Sequence, residues 1–258
     1  VSLPFGLDVA LAPLGAPGLA AVAAIVLAAY TVFGLTGFGS AVVAAPLLAH
    51  LFPLSFGVPL QLTLDFTAAV TLGSRVRAQV DRAELAWIVP FMVVGMLGGV
   101  TLLVQLPRRA TLFALGVFVL VYGLLGLFGR ASKTMVTRAW GAPIAIFGGM
   151  VSALFGTGGP IYVIYLSRRI ASSEVLRATI ATVVLISALT RVTLFALTGL
   201  LAQPGLLALA ALLVPVMLAG VALGVRLHRT LAPARTRKLV QALLVVSGAS
   251  LILRALGG

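Results

Sequence analysis

No Asp, Glu, Lys or Arg occurs between Asp8 and Asp65. A soluble domain carries roughly a quarter charged residues, so water cannot be the solvent for such a stretch. The pattern recurs downstream, in charge-free runs at 85–107, 110–129, 139–167, 178–190, 192–225 and 239–253. Across 258 residues, 61% are hydrophobic and 9% charged. This excludes a soluble globular domain, a disordered chain and an ordinary nucleic-acid-binding module. It predicts an all-α polytopic membrane protein whose main partner is the lipid bilayer.

The net charge of +13 would point to nucleic acid in a soluble protein. Here the basic residues sit in short loops between apolar runs, so they read as orientation signals and no nucleic-acid partner is expected. There is no cysteine, which removes disulfides, thiolate metal sites and a cysteine nucleophile. Residues 1 to 17 lack a basic start and carry Asp8, unlike a secretory signal.

A full crossing needs roughly 20 residues. Six segments fit one crossing each, at about 54–74, 85–106, 110–129, 178–199, 205–225 and 239–257. Residues 18–52 and 139–167 do not fit. Each is interrupted by glycine, at Gly34-Leu-Thr-Gly37-Phe38-Gly39-Ser40 and at Gly156-Thr157-Gly158-Gly159-Pro160. Each therefore reads as a helix, a Gly-rich break and a shorter helix.

The loop charges choose a topology. If both broken segments enter and return to their own side, four loops become cytoplasmic. They hold Arg75, Arg77 and Arg82; Arg130, Lys133 and Arg138; Arg168, Arg169 and Arg177; and Arg226, Arg229, Arg235, Arg237 and Lys238. Only Arg108, Arg109 and Arg254 remain outside, with Arg191 inside a membrane segment. If each broken segment crossed once, the positive-inside rule would fail. The expected architecture is then two inverted repeats, 1–133 and 134–258, each a re-entrant broken hairpin followed by three transmembrane helices. Both termini lie outside. Inverted repeats with interrupted helices are a recurring plan of secondary transporters, with the binding site near the midplane.

Two stretches carry a family resemblance. Gly37-Phe-Gly-Ser-Ala-Val-Val-Ala-Ala-Pro46-Leu-Leu resembles the first-repeat signature of the TauE/SafE sulfite-exporter family. Phe155-Gly-Thr-Gly-Gly-Pro160-Ile-Tyr-Val-Ile-Tyr165-Leu resembles its second. The resemblance implies a multi-pass protein of the bacterial inner membrane that moves sulfite, a sulfonate, sulfoacetate or a related small anion.

The residues reach an anion independently. The short helix of each hairpin begins near the membrane centre, where its first N–H groups lack partners and its dipole is positive. Gly37, Phe38, Gly39 and Ser40 in the first break, and Gly156, Thr157, Gly158 and Gly159 in the second, are the expected substrate-binding residues. Arg191 joins them, because a mid-membrane Arg defaults to a functional reading and its guanidinium can grip an oxyanion with two parallel bonds. The bland alternatives are tight helix packing for the glycines and snorkelling for Arg191.

Asp65 is the one acid inside a crossing. Gln61 lies four residues before it and Ser187 four before Arg191, so each pair shares a helix face. Three roles stay open for Asp65: ion-pair partner of Arg191, coupling site for H+ or Na+, or structural hydrogen-bond hub. No cofactor or metal is expected, since His50 and His228 are isolated. Pro46, Pro59, Pro90 and Pro215 lie in apolar segments, and Tyr162 and Tyr165 follow the second break.

The leading expectation is a secondary transporter of a small sulfur-containing oxyanion, working by alternating access. An anion channel of the same fold, or a carboxylate transporter, stands as the alternative. An intramembrane enzyme would need a Ser–His pair, paired Asp or a metal cluster in the membrane, and is not expected. A homodimer is left open.

Overall fold

The computed structural model describes residues 15–36, 39–72, 80–128, 136–227 and 233–257. Ten α-helices follow one another in these residues: α1 Gly15–Thr36, α2 Ser40–Leu48, α3 Leu54–Leu72, α4 Arg82–Gln105, α5 Arg108–Phe128, α6 Gly141–Phe155, α7 Gly159–Leu166, α8 Ser173–Leu197, α9 Leu206–Leu227 and α10 Pro233–Gly257. Two 3₁₀ turns, Arg138–Trp140 and Leu200–Ala202, complete the described elements, and there is no strand among them. In hydrocarbon every backbone polar group must be satisfied within its own segment, which is why helix is the outcome of these sequences.

Seven stretches are long and apolar enough to cross a membrane among the described residues: Gly15–Leu35, Arg82–Gln105, Arg108–Phe128, Arg138–Phe155, Ser173–Leu197, Leu206–Leu227 and Val240–Gly257. The all-helical membrane class is therefore as expected. One detail differs. The first arm of each broken segment, counted above as part of an in-and-out hairpin, reaches crossing length by itself. The 22 residues of α1 span about 33 Å at 1.5 Å per residue, because nothing between Gly18 and Gly34 breaks the run of Ala, Val, Leu and Ile. The arms after the breaks are short, 9 residues in α2 and 8 in α7.

Three helix pairs form the main contacts: α4 on α6, α5 on α10 and α1 on α9. Each is closed by small residues, as membrane helices require where lipid supplies no hydrophobic drive between them. A side chain at Gly95 or Gly149 would strike the backbone of the partner in the α4–α6 pair. Gly34, Gly220 and Gly224 do the same for α1 and α9, and Gly116 and Gly248 for α5 and α10.

The buried apolar residues fall into two cores. One gathers α1 and α9 through Val26, Tyr30, Leu213 and Met217. The other gathers α4 to α8 and α10 through Met92, Leu115, Val151, Val183 and Leu244. The cores meet along α2 and α3, each of which puts residues into both: Val42 and Val43 on α2, Leu62 and Leu64 on α3. The outer surface stays apolar, with Leu125, Phe128, Leu197 and Leu253 exposed, as a lipid-facing belt should be.

The two ends of the bundle differ. At one end Arg138 and Arg169 lie against the start of α4. Arg138 donates from Nη2 to the Ala83 carbonyl at 2.7 Å and lies over the Trp87 ring, whose Nε1 donates to the Arg138 carbonyl at 2.9 Å. The Asp81 carboxylate caps α4 by accepting from the Glu84 N–H at 3.0 Å. Glu84, 5% exposed, accepts from Arg169 Nη2 and Nε at 2.7 and 3.0 Å and from the Tyr165 hydroxyl at 2.9 Å. At the other end Arg254 Nη1 donates to the His50 carbonyl at 2.8 Å, and Gln203 donates to the Ser55 carbonyl at 2.6 Å. Burial and the Arg254 charge lower the His50 imidazole below its ordinary value. His228 lies outside the described residues.

Candidate functional site

The two broken segments build the site from backbone upward. In the first, Gly39 takes a left-handed φ of 94° and serves as N-cap of α2. Only glycine adopts that conformation without a steric penalty. Helix α2 then starts at Ser40, and the first ladder bond is the Val43 N–H to the Gly39 carbonyl at 3.4 Å. In the second, α6 stops at Gly156, with φ of 75°, its N–H donating to the Ser152 carbonyl at 2.9 Å. Helix α7 restarts at Gly159 after the Gly158 cap.

The breaks are therefore made differently. Their sequences align Gly39 with Gly158, yet the left-handed residue in the second break is Gly156. Gly158 has a φ of −69°. Its requirement is space: a methyl there would fall 2.5 Å from the Gly148 carbonyl and 2.6 Å from Ser152 Cβ. At Gly39 and at Gly159 the reverse holds, for a methyl on either would meet nothing within 4 Å. Both half-helix starts thus face open room. Gly37 and Phe38 lie outside the described residues.

Arg191 stands mid-way along α8 and is 5% exposed, so it is buried in protein rather than reaching toward an interface. Its Nη1 donates to the Ser152 carbonyl at 3.5 Å. The same nitrogen lies 3.5 Å from where a Gly156 side chain would begin, and Ala41 Cβ is 3.3 Å from that point. Gly156 is therefore wedged between the guanidinium and the first turn of α2. The two broken segments and Arg191 converge at one place.

Arg191 is left under-satisfied there. Its Nε has no hydrogen-bond partner, nor do the Thr157 and Tyr162 hydroxyls or Gln61 Oε1, all of them buried atoms. A buried polar group without a partner costs about 1–3 kcal/mol, more when charged. Four buried polar atoms among the described residues are thus without a partner, and two helix starts have open room beside them.

Asp65 on α3 faces the same region. Its Oδ1 accepts three bonds, from the Tyr30 hydroxyl at 2.7 Å, Ser40 Oγ at 2.8 Å and Gln61 Nε2 at 3.0 Å. Gln61 Nε2 also donates to the Tyr30 oxygen at 3.1 Å. The ion pair among the described residues is Glu84 with Arg169, not Asp65 with Arg191. Of the three roles left open for Asp65, the hydrogen-bond hub is thus occupied and the direct ion pair is not. The Ser40 hydroxyl, expected to donate to substrate, is given to Asp65. Ser187 Oγ lies 3.1 Å from Ser152 Oγ, on the turn whose carbonyl receives Arg191.

Sequence reading missed Tyr30 and Ser152. Ser152 sits one helical turn before Gly156, where its carbonyl and hydroxyl both turn to α8. That spacing was readable. Tyr30 offers no local signal, since its partner is 35 residues away. Among the described residues no group of three or more His, Asp or Glu is placed to hold a metal ion.

The chain is similar to known membrane proteins. The family model for the sulfite exporter TauE/SafE matches residues 22–251. A protein of Comamonas testosteroni named "Probable inner membrane transporter protein TsaS" is 29% identical over 199 residues, covering 76% of this chain and 82% of that protein. No solved structure matches. The family match takes in both broken segments, Asp65 and Arg191, and with it the chain belongs to the TauE/SafE sulfite exporter family.

Proposed function

We propose that the protein is a secondary transporter of the bacterial inner membrane that moves a small sulfur-containing oxyanion such as sulfite, a sulfonate or sulfoacetate. The observation that carries this reading is Arg191, a buried guanidinium with a free Nε held against Gly156 where two half-helices begin. A central Arg costs at least about 2.5–3.5 kcal/mol on insertion scales. An anion at this point offsets that cost with charge-assisted bonds, which are roughly twice as strong as neutral ones. The first N–H groups of α2 and α7, the Thr157 hydroxyl and the Tyr162 hydroxyl complete the ligand's shell.

Movement follows from the pairing of helices. Contacts of α1 with α9 and of α6 with α4 are the equivalent pairs if α1 to α5 and α6 to α10 are repeats of one unit, and α5 with α10 pairs equivalent members. This supports two inverted repeats, 1–133 and 134–258, rocking about a midplane site by alternating access. Asp65, beside the site and tied to the start of α2 through Ser40, is the position for a coupling cation, H+ or Na+.

The test is thermal stabilisation of the purified protein by a panel of anions at constant ionic strength, followed by flux into liposomes. A ligand at one hundred times its dissociation constant stabilises the folded state by about 2.7 kcal/mol. A sulfur oxyanion selectively stabilises the wild type, Arg191→Ala abolishes the effect, and Arg191→Lys retains part of it because the planar fork is lost. Saturable flux supports a carrier; flux that stays linear in concentration means a channel. Normal binding by Arg191→Ala overturns the site.

A further inference from the structure

We propose that the clasp of Glu84 with Arg169 and Tyr165 is the cytoplasmic gate of the transport cycle. The proposal rests on the transporter reading, but its argument uses none of the anion-binding residues.

The clasp joins the two halves of the chain. Glu84 lies in the first turn of α4, while Tyr165 and Arg169 lie at and just after the end of α7. Helix α7 is the half-helix that follows Gly156, which Arg191 borders. It has 8 residues, about 12 Å, so whatever holds its far end also fixes where its first turn sits. Glu84 holds that end with both oxygens. Oε1 receives Nη2 and Nε of Arg169, and Oε2 receives the Tyr165 hydroxyl. The remaining arm of Arg169 donates from Nη1 to the Val136 carbonyl at 3.3 Å. The start of α4, the end of α7 and the segment at Val136 are thus joined through Glu84 and Arg169.

Such an arrangement is costly as a mere staple. A buried ion pair gains little over well-packed apolar residues, because its desolvation cancels much of its attraction. Its advantage is that it has two distinct states, made and broken, and the broken state becomes cheap once water enters. Arg169 is placed for that, since its side chain is 26% exposed against 7% for Glu84. A cleft of about 380 Å³ lined by Val136, Thr137, Trp140, Ile144 and Arg168 opens beside the Val136 contact. Release of Glu84 would let the end of α7 swing from α4 and water advance from this cleft along α7. On this account the structure is the state closed on the face of the basic loops, and Glu84 is a positioning residue for α7.

The chain has no cysteine, so a single introduced thiol reports access to the site. Thr157→Cys, at a position 1% exposed, is reacted with a membrane-impermeant cationic thiosulfonate in vesicles of known orientation. Adding Glu84→Gln removes the charge and keeps the shape. It should raise the modification rate from the face carrying Arg138, Arg168 and Arg169 by about tenfold, the scale expected for losing one partner of a buried pair that water can partly re-solvate. The rate from the other face should be unchanged or lower. Tyr165→Phe, which removes one bond and leaves the ion pair, should give a smaller rise from the same face. An unchanged rate in folded Glu84→Gln protein, or an equal rise from both faces, overturns the gate, the latter being general loosening. If Glu84→Gln does not fold, Tyr165→Phe decides alone: a one-sided rise supports the gate and no rise overturns it. The assay needs no substrate. A protein that gates in this way yet binds no anion would sink the oxyanion reading and leave the clasp standing.

Discussion

A threonine whose hydroxyl has no partner is an invitation to a specific experiment. Thr157 Oγ1 is buried and unbonded, and valine has nearly its shape. Thr157→Val should therefore raise stability by about 1 kcal/mol, the cost of an unmet hydroxyl being relieved. The same change should weaken stabilisation by the anion. Melting curves with and without ligand read both effects, and opposite signs mark a group kept for binding rather than folding. At this scale the sequence was informative where chemistry alone singles out a residue. Arg191 and Asp65 stand out because an ionised group in hydrocarbon is expensive, and both proved to face the region where the broken segments meet. What stayed hidden was the division of labour. Ser40 reads as a substrate donor until Asp65 is seen to accept its hydrogen bond, and Tyr30 carries no local signal until its hydroxyl reaches across 35 residues. Such pairings depend on which faces of separate helices meet, and no local pattern records that.

The breaks themselves were legible at the element scale, since six glycines in two short stretches cannot continue a membrane helix without reason. Their geometry was not, because Gly39 is left-handed and its counterpart Gly158 is not. Gly156→Ala should lower stability by about 1–2 kcal/mol through its φ of 75°. It should also lower transport, since its new methyl would press on Ala41 at 3.3 Å and Arg191 at 3.5 Å. Gly39→Ala carries the same backbone penalty at φ 94° but meets no atom. Its methyl instead fills the room at the start of α2, so its loss of anion affinity should exceed what its melting temperature accounts for. Paired melting and binding measurements separate the two cases. The reach of the first arms was left open for a related reason. A search for breakers locates where a helix stops, but whether the arm before it spans the bilayer depends on how far its apolar run extends backwards, and α1 extends to Gly15.

Across the whole molecule, the loop charges set an expectation of sidedness that labelling can test. Arg138 lies beside Ala83 and Arg169 beside Glu84, while Arg254 sits with His50 at the other end. Trp140 and Leu256, 60% and 72% exposed, make the orientation measurable. Cysteine placed at Trp140 should label from the cytoplasmic face and cysteine at Leu256 from the outer one, and labelling of both from the same face would undo the topology. The clasp at Glu84 was invisible to charge arithmetic, which counts arginines by loop and says nothing of the acid that Arg169 binds. One further feature reaches beyond all of these. Helix α7 carries Pro160 in its first turn, and proline has no N–H to give, whereas Ser40, Ala41 and Val42 at the start of α2 all keep theirs. The two tips are thus unequal hosts, one richer in donors than its counterpart. A ligand with a charged head and a plain tail would have a preferred heading in such a berth, head toward α2, and would keep that heading throughout its passage.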